Sequence, residues 1–147
     1  MDTKNTFSIS AMGMSIERAR VDVAALNLAN ANTVISPDGQ GFRPMRVVAH
    51  GSNPAFQFAE MMNQGVAQMN EAASAFSIEP VDAAPRQVLE PGHPMANAQG
   101  FVSYPAVDTA NETVTMMSAM RAYEANVAAM NASRNMALKA LEIGGGN

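Results

Sequence analysis

All eight prolines of this 147-residue chain lie between Pro37 and Pro105, and none occurs in residues 1–36 or 106–147. A proline inside a helix removes a backbone donor and clashes with the preceding turn. Both ends are therefore free to form long helices, and the middle is not. Charge follows the same division. Residues 1–36 carry three acids and three bases, as do residues 110–147, so the whole net charge of −4 sits in the middle. Two neutral arms enclose an acidic, turn-rich insert.

Each arm carries a narrow apolar stripe. In the first, Ile9, Met12, Ile16, Ala19, Val23, Leu26 and Asn30 follow one another at alternating steps of three and four, the spacing that turns one seam toward a partner helix. The second arm repeats the pattern with Met116, Met120, Tyr123, Val127, Met130, Arg134, Ala137 and Leu141. It ends in Gly144, Gly145 and Gly146, which suit a helix C-terminus, while Asp108 or Thr109 is a natural N-cap with Glu112 following. The predicted fold is mainly α with a small β insert (α+β): long N- and C-terminal helices paired as an antiparallel coiled coil, with a turn-rich β domain between them. Residues 1–36 hold the first helix and the start of its linker, 37–108 the insert, 109–143 the second helix and 144–147 a flexible tail.

Within the insert, short strands are predicted at 45–49, 76–81, 86–90 and 101–104, each bounded by Gly, Pro or Asp, and four such strands could close one small sheet. A short helix is expected over 55–76, carrying Phe56, Met61, Met62 and Met69 and interrupted by Gly65. Pairing of the stripes with Ile9 opposite Leu141 would bring Ile16 to Arg134 and Val23 to Val127, and would place Glu17 within reach of Arg134. Outside the stripes both arms are dense in Ala. That composition either supports helicity alone or lets further helices pack closely. Two helices bury little by themselves, so the arms are expected to order on assembly.

Composition excludes most chemistry. With no Cys, the chain has no disulfide scaffold, thiol nucleophile or Cys-ligated metal site. His50 and His93 have no ligand spacing, and a net acidic chain lacks the clustered bases that phosphate backbones require. Gly39-Gln40-Gly41 meets Pro44 where a phosphate loop needs its third glycine, which makes it a turn. Glu79, Asp82 and Glu90 could include a carboxylate pair for glycoside hydrolysis, but a solvated acidic face accounts for them, and no cofactor, metal or small-molecule ligand is expected. Residues 1–30 lack the basic start and unbroken apolar run of a secretory signal. No stretch approaches the roughly 18 apolar residues of a membrane span, so no membrane insertion is expected.

Several segments resemble the flagellar axial-protein family. Leu28-Ala29-Asn30-Ala31-Asn32-Thr33 is similar to the signature that closes the family's N-terminal helix. Arg121-Ala122-Tyr123-Glu124-Ala125-Asn126-Val127, continuing to Lys139-Ala140-Leu141-Glu142, resembles its C-terminal helix. Pro91-Gly92-His93-Pro94 through Gly100-Phe101-Val102-Ser103-Tyr104-Pro105 is similar to the proximal-rod branch rather than to its siblings. Pro44, after Phe42-Arg43, departs from the family's frequent basic residue.

The resemblance implies a structural, non-enzymatic subunit of the flagellar basal body. It would be made in the cytoplasm, exported unfolded without a cleaved signal, and polymerised helically into the periplasmic rod that carries torque from rotor to hook in motility. It further implies that the terminal helices form the inner tube and the insert faces outward. Implied partners are copies of itself, other proximal and distal rod subunits, and the rod adapter and export gate at the base. A sibling axial protein, or a soluble export adaptor whose arms wrap a client helix, are the alternative readings.

Overall fold

The structure, a computed structural model, describes residues 3–50 and 76–144. The helix expected over 55–76 lies outside the described residues, except for Phe76, which opens a strand. Helix α1 spans Thr3–Asn30. Four strands follow: β1 at Met45–Ala49, β2 at Phe76–Pro80, β3 at Arg86–Leu89 and β4 at Phe101–Tyr104. Helix α2, Thr109–Gly144, completes the order. At about 1.5 Å per residue, the 28 residues of α1 and the 36 of α2 give rods of roughly 42 and 54 Å.

Local chemistry sets the helix ends. The Asp108 carboxylate accepts the amides of Ala110 and Asn111 at 3.0 and 3.2 Å, making Asp108 the N-cap of α2. Glu112 does not turn back to complete a capping box. At the end of α1, the Asn30 side chain donates to Leu26 O at 2.9 Å, and the Thr33 amide donates to Asn30 O at 3.0 Å. Asn30 O, and Leu28 O through the Ala31 amide at 3.2 Å, thus find partners that the helix itself does not supply.

The four strands form two separate antiparallel pairs and not the one small sheet expected. In one, Met45 to Ala49 oppose Pro80 to Phe76; in the other, Arg86 to Leu89 oppose Tyr104 to Phe101. Edge chemistry accounts for the division. The free side of β4 is occupied at Ser103, whose carbonyl accepts the Ile35 amide at 2.8 Å as the linker after α1 crosses it. Pro80 and Pro85 lack the amide that a continued ladder would need. Gly39-Gln40-Gly41 is a turn, with the Gly39 amide on Ser36 O at 2.8 Å and φ of +77° at Gly39.

A small core sits where α1, the linker and β4 meet. Ala31, Ile35, Pro44, Val102 and Pro105 are buried there, and Val102 is completely inaccessible. The helical pair rises from this base. Among the described residues no helix is long and apolar enough to cross a membrane.

Candidate functional site

The two helices pack side by side, and two contacts fix their direction and register. Asn27 Nδ2 donates to Glu112 Oε1 at 3.0 Å, and Asn126 lies against the bare Cα of Gly13. Fourteen residues separate Gly13 from Asn27, and fourteen separate Glu112 from Asn126. One antiparallel register therefore serves both contacts. It differs by about eleven residues, or three turns, from the register expected with Ile9 opposite Leu141. Glu17 comes level with Ala122, not Arg134, and its carboxylate meets Arg20 at 3.3 Å. The expected Glu17–Arg134 pair is not made, and Arg134 is exposed.

The sequence stripes missed this register because the intrachain contact is built from small and polar groups. Ser10, Ala24 and Asn27 are buried on α1, Ala31 just past its end, and Ala119 and Ser133 on α2. In α1 that line runs one position beyond the stripe of large residues. A Cβ at Gly13 would stand 2.9–3.1 Å from the Asn126 amide group, so the Asn126 side chain would have to shift to admit one. Helices that meet through Gly, Ala and Ser leave their larger side chains elsewhere.

Of the stripe residues on α1, Ala19 and Val23 are buried, Ile16 and Asn30 half-buried, and Ile9, Met12 and Leu26 exposed. On α2, Met116, Val127, Met130 and Ala137 are half-buried, whereas Met120, Tyr123, Arg134 and Leu141 are exposed. Ile9 is 69% exposed and Leu141 72%. Among the signature residues, Leu28 is half-buried, and Ala29, Asn32, Thr33, Arg121, Glu124, Lys139 and Glu142 face outward. Large apolar side chains therefore remain exposed on both helices although the pair is packed.

Asn27 is the joint between this pair and the strands. Only 1% exposed, it accepts the Met45 amide at 2.9 Å and returns a hydrogen bond to Met45 O at 2.8 Å. Its amide thus pairs with β1 as a neighbouring strand would, while its second proton reaches Glu112. Sequence alone places Asn27 among several asparagines near the end of α1. The signal that singles it out is its place one residue past the apolar stripe, on the line that faces α2.

Of the three acidic groups weighed for catalysis, Asp82 is exposed and Glu79 and Glu90 are otherwise engaged. Glu79 accepts from Ser77 Oγ at 2.9 Å and lies 3.7 Å from Arg46, and His50 Nε2 reaches Ser77 at 3.0 Å. Glu90 accepts from the Tyr104 hydroxyl at 3.2 Å. Desolvation first, and the Glu90 charge second, hold the Tyr104 phenol above its ordinary value. Among the described residues no cluster of His, Asp and Glu is arranged to hold a metal.

Comparison with known proteins points to one family. The profile of the family described as "Flagellar basal body rod FlgEFG protein C-terminal" matches residues 98–143, the segment from β4 through α2. Across nearly its whole length the chain is 38% identical to the flagellar basal-body rod protein FlgC of Salmonella typhimurium, covering 95% of this chain and 96% of that one. The chain belongs to the FlgC family. Membership makes it a structural proximal-rod subunit of the flagellar basal body and not an enzyme. The FlgC of Bacillus subtilis is 33% identical over 98% of this chain and 99% of its own. The FlgC of Borreliella burgdorferi is 31% identical over 95% of each. FlgC proteins this divergent still align with both arms and the insert.

Proposed function

We propose that this FlgC-family subunit builds the rod by helical polymerisation through α1 and α2. The outer apolar surface of the pair carries the reading: Ile9, Met12, Leu26, Met117, Met120 and Leu141 are exposed although the two helices are already packed together. A soluble hairpin would present Lys and Glu there. Neighbouring subunits would cover these side chains, and in the polymer the pair would supercoil as an antiparallel coiled coil lining the inner tube. The acidic insert, residues 37–108, would face outward. Partners would be copies of the chain, the other rod subunits, and the adapter and export gate at the base. The chain would reach the periplasm unfolded and without a cleaved signal.

Leu26→Asp and Met120→Asp test this. Both positions are exposed, so each variant should keep the helicity of the parent chain. Each should nevertheless fail to restore swimming to a strain that lacks its own FlgC, because a carboxylate would be buried between subunits. Full motility with aspartate at both positions would refute assembly through these faces.

A further inference from the structure

Helix α2 outruns α1 at the end of the pair remote from the strands. In the register set by Asn27–Glu112 and Gly13–Asn126, Thr3 stands level with Met136, and α2 continues for about two further turns. Burial gives the same result independently, since every residue from Leu138 to Gly144 is exposed, Ile143 at 85%. Two unsupported turns carrying Leu138, Leu141 and Ile143 form a blunt apolar knob.

The other end of the same pair has a hollow. A cleft of about 460 Å³ opens between α1, β1 and the first turns of α2. Val23, Val47 and Val114 give it an aliphatic lining, and Arg20, Arg46 and Glu112 are its charged lining residues. Both arginines have carboxylate neighbours, Glu17 at 3.3 Å and Glu79 at 3.7 Å, yet their side chains stay 45% and 64% exposed. The knob carries Glu142, opposite in sign to the two arginines, and Lys139, opposite in sign to Glu112.

Knob and cleft cannot meet within one molecule. Both are built on α2, and the 24 residues from Val114 to Leu138 hold them about 36 Å apart along a continuous helix. A second molecule meets no such obstacle. We propose that the overhang of α2, Leu138–Ile143, inserts into the cleft of a second copy of this chain, with Glu142 near Arg20 and Arg46. The contact is head-to-tail, and each copy added leaves one knob and one cleft free, so it propagates and does not close. It rests on the assembly reading above and names the surfaces that assembly would use.

Paired cysteines test it, because the chain has none of its own. The full chain carrying Leu141→Cys and Val114→Cys, oxidised at rising concentration, should give a reducible ladder of dimers, trimers and larger species. Leu141→Cys alone should stop at dimer. Adding Leu138→Asp and Ile143→Asp should reduce the ladder on the order of tenfold, because charges would enter an apolar site, while circular dichroism shows unchanged helicity. An absent ladder would overturn the proposal, as would one equally strong with Ile9→Cys replacing Val114→Cys, or cross-linking only to a different axial subunit. Motility separates the two levels. If the parent chain restores swimming and no ladder forms, this contact falls and the rod assignment stands. A ladder without restored swimming keeps the contact and removes the assembly role.

Discussion

Asn27 offers the most direct test of how the helical pair is tied to the strands. Replacing it with alanine removes three hydrogen bonds at one buried point: the pair with Met45 O and N, at 2.8 and 2.9 Å, and the bond to Glu112 at 3.0 Å. Met45 and Glu112 are half-buried, so water reaches part of what is left behind. An unsatisfied buried group costs about 1–3 kcal/mol, and a bond to a charged group contributes about 1.5–3 kcal/mol. Asn27→Ala should therefore lower unfolding stability by about 2–4 kcal/mol, read by urea titration followed through helix ellipticity. Asn27→Asp is the sharper variant. It keeps an acceptor for the Met45 amide, removes both donors, and sets a carboxylate against Glu112 and Met45 O. At neutral pH it should be less stable than the alanine variant, and Asn27→Asp with Glu112→Gln should recover part of the difference. An aspartate variant as stable as the alanine variant would show that the donation from Asn27 to Glu112 does not hold the joint.

Gly13→Ala should gain less than the roughly 1 kcal/mol that alanine offers inside a helix, because its Cβ crowds the Asn126 amide group, and should gain more in an Asn126→Ala background; an additive double variant would contradict the close contact. Tyr104 should ionise above the ordinary tyrosine range in an ultraviolet pH titration of a Tyr123→Phe chain, with Glu90→Gln bringing it back toward that range. Because the folded form holds the phenol proton more tightly, this contribution to stability is present below the unfolded value of 10.0 and is lost as pH rises through the folded one. Amide exchange in the isolated chain should be slowest around Ala24–Ala31 and Val102–Ala119, where the buried groups concentrate, and fastest in Leu138–Gly144. Uniform protection along α2 would contradict a helix secured mainly at its base.

How much of this was legible in the sequence depends on which interaction decides each element. Proline placement and local caps set the two helices, so Asp108, one of two candidate N-caps, read directly, while α2 runs one residue past the expected end to Gly144 and residues 145–147 lie outside the described residues. All four strand positions were also visible, because Pro, Gly and Asp bound short β-branched runs. Strand pairing was not, since it turns on Ile35 reaching Ser103 across the free side of β4, a contact between residues 68 positions apart. The helical register misled for a different reason. A search for large apolar residues assumes that they face the nearest partner, whereas here Gly13, Ala24 and Ala119 do so. Leu26 and Met120, by that rule the best seam residues, are among those left outside.

That inversion has an energetic consequence for assembly. Covering one exposed Leu, Ile or Met contributes about 1.5–3 kcal/mol when burial is complete, and a contact such as the knob and cleft offers only three such side chains. Association costs on the order of 4–15 kcal/mol in lost translational and rotational freedom, before side-chain ordering. A single contact between two copies is therefore weak. A subunit entering a helical lattice touches several neighbours at once, and each further contact adds burial without repeating the full association cost. The exposed methionines Met12, Met117, Met120 and Met136 suit such a lattice, because flexible thioether chains adapt to neighbours that are not identical. On the assembly proposed above, a chain with this surface should stay dispersed when dilute and become firmly held only where neighbours already stand on several sides, at the growing end of the rod.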